Sequence, residues 1–147
     1  MEDILFEINE TARAIRRAFD QRAATAGVTR QQWRVLARLK RESGLRQVEL
    51  AERLDMEPIT LCRIVDRLEE AGLVERRPDP SDRRAWRLHV TAKAQPLVEK
   101  LQAVGAQLID QAFGGIDPND IEITRRVLAQ ARENASRSGT INRASNQ

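Results

Sequence analysis

Between Arg46 and Gly72 the chain carries two helical segments with almost no connector between them. "RQVELAERLDM" places Val48, Ala51 and Leu54 on one helical face. "EPITLCRIVDRLEEAG" follows at once, with Pro58 suited to a first helical turn, where its missing N–H costs nothing, and Gly72 suited to the stop. Two short helices joined by a tight turn have the geometry of a helix-turn-helix. The rest of the chain has to be read around that unit.

After Gly72, "LVERR" and "WRLHV" read as two strands; in the second, Trp86, Leu88 and Val90 alternate with Arg87 and His89, the pattern of a half-buried strand. The loop between them, "PDPSDRRA", is longer than a simple reversal needs and ends in the adjacent arginines Arg83 and Arg84. Upstream, Leu5, Ile8, Ala12, Ile15 and Phe19 form a helical stripe that ends near Gly27. Thr29 and Gln32 then make a capping box for a helix that buries Trp33, Leu36 and Leu39 and stops before Gly44. Downstream, a long helix from about Thr91 carries Leu97, Leu101, Val104 and Leu108, "GGIDPND" breaks it, and a last helix carries Ile121, Val127, Leu128 and Ala131. The expected fold is therefore mainly α, a helix-turn-helix lobe with a short β-hairpin flanked by helices at both ends.

The pattern divides into residues 1–28, 29–91 and 92–135, with 136–147, rich in Ser, Asn and Arg, expected to be a disordered tail. A domain of about 60 residues is marginal by itself. The apolar stripes before and after it are expected to pack together across a two-fold axis, giving a homodimer. A monomeric bundle in which both helices fold back is the other solution.

Composition excludes several classes. The chain has 147 residues, 32% charged and 41% hydrophobic, which is a globular balance. Aromatics are only 3%, with no tyrosine, so the core has to come from Leu, Ile, Val and Ala. No apolar run approaches the ~18 residues that span a bilayer, and the acidic "MEDILFEINE" is not a secretory signal. One cysteine, Cys62, cannot form an internal disulfide, which fits a cytoplasmic location. The single histidine, His89, cannot build a histidine metal cluster, and no Gly-rich phosphate loop or G-x-S-x-G element occurs. No enzyme activity, cofactor, metal or membrane partner is expected.

What remains is charge distribution. The net charge is +3, but Arg76, Arg77, Arg83, Arg84, Arg87 and Lys93 face only Asp79 and Asp82, a local excess typical of a polyanion site. On the second helix of the pair, Leu61, Ile64, Val65 and Leu68 share one face, while Ile59, Thr60, Arg63 and Arg67 fall on the other with Cys62 and Asp66 on its flank. A helix entering the major groove needs an aliphatic anchor behind and guanidinium forks in front. Asp66 is expected to pair with Arg63 or Arg67 rather than meet DNA. The hairpin then reads as a wing: Arg84 aimed at a narrow minor groove, Arg83 at phosphate, and Asp82 holding the Arg84 side chain extended.

"ITLCRIVDRLEEAGLVERRPDPSDRRAWRLHVT" resembles the recognition helix and wing of the MarR family of winged helix-turn-helix regulators, with Asp82–Arg84 as the D-x-R element. "VTRQQWRVLARL" and "VTAKAQPLVEKLQAV" are most similar to its SlyA branch. The resemblance implies a dimer on a pseudo-palindromic site in double-stranded DNA, a repressor more than an activator, with Arg63 at bases or phosphates and Arg84 in the minor groove. It also implies an effector pocket between the dimer helices and each lobe, frequently filled by small aromatic acids. Trp33 would line it, and Arg13, Arg16 or Arg17 would meet an anion. Cys62 departs from the Ser, Thr or Val usual there, which leaves that phosphate contact open. Two alternatives stand beside this reading: a winged-helix protein-interaction module, which only Ile59 favours, and redox sensing through Cys62.

Overall fold

The computed structural model describes the backbone of residues 1–144 and the side chains of residues 1–137. Among them are six α-helices and a three-stranded antiparallel sheet: α1 (Glu2–Thr25), α2 (Arg30–Arg41), β1 (Leu45–Arg46), α3 (Gln47–Leu54), α4 (Pro58–Glu70), β2 (Val74–Pro78), β3 (Trp86–Val90), α5 (Gln95–Ala112) and α6 (Pro118–Ala144). The chain divides into two compact units, residues 1–109 and 110–147.

The first unit contains the helix-turn-helix and the hairpin. Thr29 caps α2 as its sequence requires: the Gln32 N–H donates to Thr29 Oγ1 at 3.1 Å, and the Thr29 N–H donates to Gln32 Oε1 at 3.0 Å. Asp55 closes α3 in the left-handed region at φ 49°, and the Met56 N–H reaches back to the Ala51 carbonyl at 2.9 Å. This is a Schellman-type stop, and it turns the chain within three residues into Pro58, the first residue of α4. Gly72 ends α4 the same way at φ +75°, a backbone that any side chain would strain. The sheet order is β1-β3-β2, with Arg77 opposite Arg87 and Val74 opposite Val90 in the hairpin, and Arg46 opposite Arg87 across β1.

The core of this unit is aliphatic, as the scarcity of aromatics demands. Val35, Leu36 and Leu39 from α2, Leu50 and Leu54 from α3, Leu61, Val65 and Leu68 from α4, and Leu88 from β3 form one buried cluster. A smaller cluster joins Ala23, Val28 and Leu101, with Phe19 and Trp33 partly buried beside them and their rings stacked at 6.0 Å. Two inward assignments do not hold. Val48 is exposed and Leu50 is buried in its place, because α3 is rolled to cross α4 over Leu50, Ala51 and Leu54. Trp86, expected inside with Leu88 and Val90, is 49% exposed, since it lies at the wing end of β3 opposite Pro78, beyond the reach of the helices.

In the second unit α6 is assigned as far as Ala144, so regular helix continues past Ser136, where the sequence places a tail without structure. Residues 145–147 lie outside the described residues. Ile123, Val127 and Leu128 of this helix are exposed.

Candidate nucleic-acid interface

Three fully buried side chains, Leu61, Val65 and Leu68, determine the roll of α4. With that face inward, Ile59, Thr60, Arg63 and Arg67 are exposed, as the sequence spacing requires, and Thr60, Arg63, Ile64 and Arg67 border a shallow depression of about 200 Å³. No described residue pairs with the guanidinium of Arg63 or Arg67. Long cationic side chains left unpaired on a surface are available to an external polyanion.

Asp66 does pair with an arginine, but not with either neighbour on its helix. Arg76 of β2 reaches it at 2.6 Å and also holds Glu69 at 2.9 Å. Partial burial disfavours the Arg76 charge, but the hydrogen bonds to Asp66 and Glu69 outweigh it and raise its pKa. The packing of β2 along the end of α4 brings Arg76 to these acids, and helical spacing alone cannot show that. The consequence is useful: the acids are neutralised from behind, and Arg63 and Arg67 stay free. Cys62 lies half-buried on the same flank, its Sγ 3.9 Å from Asp66 Oδ2.

The wing is built on two Asx turns, in which a carboxylate accepts from the N–H two residues on. Asp82 Oδ1 accepts from the Arg84 N–H at 2.9 Å. The expected hold of Asp82 on Arg84 therefore acts on the backbone and not on the guanidinium, because the tight turn brings the amide into range first. Arg83 and Arg84 are exposed, and no described residue pairs with their side chains.

The other turn contains a residue that pattern reading treats as plain charge. Asp79 is the buried charged residue of the lobe, its side chain fully enclosed. Oδ1 accepts from the Ser81 N–H and Oγ, both at 2.8 Å, and Oδ2 accepts from Arg87 Nε at 2.9 Å and Arg46 Nε at 3.1 Å. Arg87 also donates to the Gly44 carbonyl, and the Arg46 N–H donates to Glu49 Oε1 at the start of α3. One carboxylate thus ties the wing turn, β3 and the entry to the helix-turn-helix together. The Asp-Pro-Ser run signals the turn in the sequence, but Arg46 is too far away in the chain to be inferred as its partner.

The Ser81 hydrogen bonds, followed by the Arg46 and Arg87 charges, hold the Asp79 carboxyl well below the usual carboxylate range despite burial. A depressed folded pKa adds stability that is fully present above the unfolded value, near 3.9, and is lost as pH falls through the folded one. Asp79→Asn is therefore expected to melt lower than wild type at pH 7, with the gap constant down to about pH 5 and narrowing below pH 4. A gap that stays the same from pH 7 to pH 3 in thermal melts would show that the Asp79 charge is not what stabilises the wing.

The residues expected at an effector are not brought together. Trp33 lines a depression of about 350 Å³ with Arg34, Arg38, Arg41, Arg53 and Leu54. Arg13, Arg16 and Arg17 are exposed on α1 and are not among its lining residues, and Arg13 pairs with Glu10 at 3.8 Å. The cations at Trp33 thus come from α2 and α3 rather than α1, which their helical spacing alone did not single out. His89 Nδ1 sits 3.1 Å from Ser43 Oγ, and burial, with help from Arg77 and Arg87, lowers its pKa. Among the described residues no group of three or more His, Cys, Asp or Glu side chains is placed to hold a metal, and no helix is long and apolar enough to cross a membrane.

Comparison with known proteins agrees with this geometry. A family model described as the MarR family matches residues 28–86. The crystal structure of the transcriptional regulator PA3341 matches with a TM-score of 0.84 at 32% identity, covering 91% of this chain and 98% of that one. The transcriptional regulator SlyA matches with a TM-score of 0.81 at 27% identity, over 92% and 96% of the two chains. A MarR transcriptional regulator from Methanosarcina mazei Go1 gives 0.83 at 25% identity, over 93% and 99%. With its helix-turn-helix, its three-stranded sheet and its wing in place, the chain belongs to the MarR family of winged-helix transcription regulators.

Proposed function

We propose that the protein is a sequence-specific DNA-binding transcription regulator that acts in the cytoplasm as a homodimer, represses by occupying a pseudo-palindromic operator, and is released by a small anionic effector. The observation that carries the DNA reading is the set of exposed arginines Arg63, Arg67, Arg83 and Arg84, on the outer face of α4 and the tip of its wing, with no acid among the described residues to neutralise them. Ile59, Thr60 and Cys62 share or flank that helix face, and Asp82 shapes the wing turn. Exposed arginines grouped on a recognition-type helix and on the wing beside it are the electrostatic footprint of a nucleic-acid site.

Dimerisation is supported by the apolar surface at the two ends of the chain. Ile4, Leu5 and Phe6 of α1 are at least half exposed, and Ile123, Val127 and Leu128 of α6 are exposed as well. Exposed apolar side chains grouped on each helix in this way suit a helix interface. The effector reading rests on the depression at Trp33, where Arg41 meets no acid among the described residues, while Arg38 and Arg53 share Glu42 and Arg34 donates to the Leu54 carbonyl.

Selection from a random duplex pool tests the whole reading. The enriched site is expected to be an inverted repeat with half-sites about 10 base pairs apart, centre to centre. Binding to it should weaken steeply with salt, and sedimentation should give a dimer. A pool that yields no enriched sequence would reject the DNA reading, and a monomer bound to a single half-site would reject the dimer.

A further inference from the structure

The geometry points to Ile59 as a thymine reader: its side chain packs on the C5-methyl group of a thymine in the major groove, one or two base pairs from the base contacted by Arg63. This inference rests on the DNA reading of α4 and goes beyond it by naming the chemical group that is read.

Ile59 is 65% exposed in the first turn of α4. A single exposed aliphatic side chain needs no explanation by itself. Its position does. The buried trio Leu61, Val65 and Leu68 defines the inward direction, and at 3.6 residues per turn Ile59 and Arg63 both lie about 160° from Leu61, on opposite sides of the outermost line. They are also four residues apart, so their Cβ atoms are about 5–6 Å from each other. Whatever α4 enters, these two side chains reach its floor together, with Thr60 and Arg67 beside them.

The floor of a major groove offers few features to an isoleucine. It has no donor or acceptor, so it gains nothing from guanine, adenine or cytosine edges and leaves them desolvated. The thymine methyl is the apolar group in that groove. Arg63, beside it, is suited to the O6 and N7 acceptors of guanine. Stacked bases are about 3.4 Å apart along a strand, so a separation of 5–6 Å places the thymine one or two steps from the guanine. Pro58, which precedes Ile59, has no N–H to offer, and the acidic Glu57 at the cap is unsuited to phosphate, so this end of the helix is better fitted to a base edge than to the backbone.

The test uses the full-length protein and the site enriched from the random pool. Each symmetric pair of thymines is replaced in turn by deoxyuridine, which pairs identically and lacks only the methyl. One pair, within two base pairs of a guanine, is expected to weaken wild-type binding about 4-fold per half-site, the worth of one buried methyl group, and so about 15-fold for the dimer. Ile59→Ala should bind the unmodified site more weakly and be indifferent to that same replacement, while Arg63→Ala should keep its sensitivity to it. Circular dichroism of Ile59→Ala should match wild type, since the side chain is outside the core. If no deoxyuridine pair affects wild type, or if Ile59→Ala loses as much as wild type at the sensitive pair, Ile59 does not read a methyl. Both results would leave specific DNA binding intact, so they are distinct from a failure to enrich any site, which would overturn the DNA reading and this inference with it.

Discussion

Leu61→Ala is expected to lower the unfolding free energy by about 2–5 kcal/mol, the range for truncating a buried leucine. Leu61 has no exposed surface and belongs to the cluster that joins α2, α3, α4 and β3. Its removal costs the transfer energy of the lost methyl groups plus that of a cavity, since core segments from four elements cannot all close in on one gap. Ile59→Ala, two residues away on the opposite face, should change stability by no more than about 0.5 kcal/mol. Denaturant melts at one fixed protein concentration measure both. A loss below about 1 kcal/mol for Leu61→Ala, or equal losses for the pair, would mean that α4 is rolled differently and that its outer face has been misassigned.

Arg84→Ala is expected to reduce affinity by about 5- to 150-fold per half-site of the selected operator, the worth of a specific arginine contact of about 1–3 kcal/mol. The loss should fall mainly on sites whose flanking sequence narrows the minor groove, because a narrow groove concentrates the negative potential that attracts an inserted guanidinium. Arg83→Ala, one residue away, should instead weaken all sequences alike and reduce the salt slope by about one per half-site. Asp82→Ala removes the acceptor of the Arg84 N–H without removing a cation; it should cost less affinity than Arg84→Ala and leave the salt slope unchanged. Titrations at several salt concentrations separate these outcomes. Equal, sequence-independent losses for Arg83→Ala and Arg84→Ala would show that the wing contacts only phosphate.

These effects come from residues with different degrees of visibility in the sequence. Arg63, Arg67, Arg83 and Arg84 could be read directly, because they lie on a face or at a tip that local periodicity defines. Asp79 could not. Its meaning depends on Arg46, which lies across the sheet in β1, and on Arg87 in the next strand. The need of Asp66 for an arginine is legible from its place on the helix, but its partner, Arg76, is placed by strand packing and not by helical spacing. The arginines around Trp33 are a similar case: the rim combines α2 with α3, and α1 contributes nothing to it.

The sequence by itself determined most helix boundaries up to α5, the helix-turn-helix, the hairpin and the outward face of α4. Each follows from interactions within a few residues: the Thr29–Gln32 capping box, the Gly72 stop, and the spacing of Leu61, Val65 and Leu68. Only the tertiary structure decided that Leu50 rather than Val48 enters the core, that Trp86 stays outside, and that one buried carboxylate joins the wing to the start of α3. The physical reason is range. Periodicity and capping act over one or two turns, where the chain specifies its own geometry. The roll of a short helix and the pairing of a buried charge are decided by what arrives from elsewhere in the chain, and burial makes that outcome energetically compulsory.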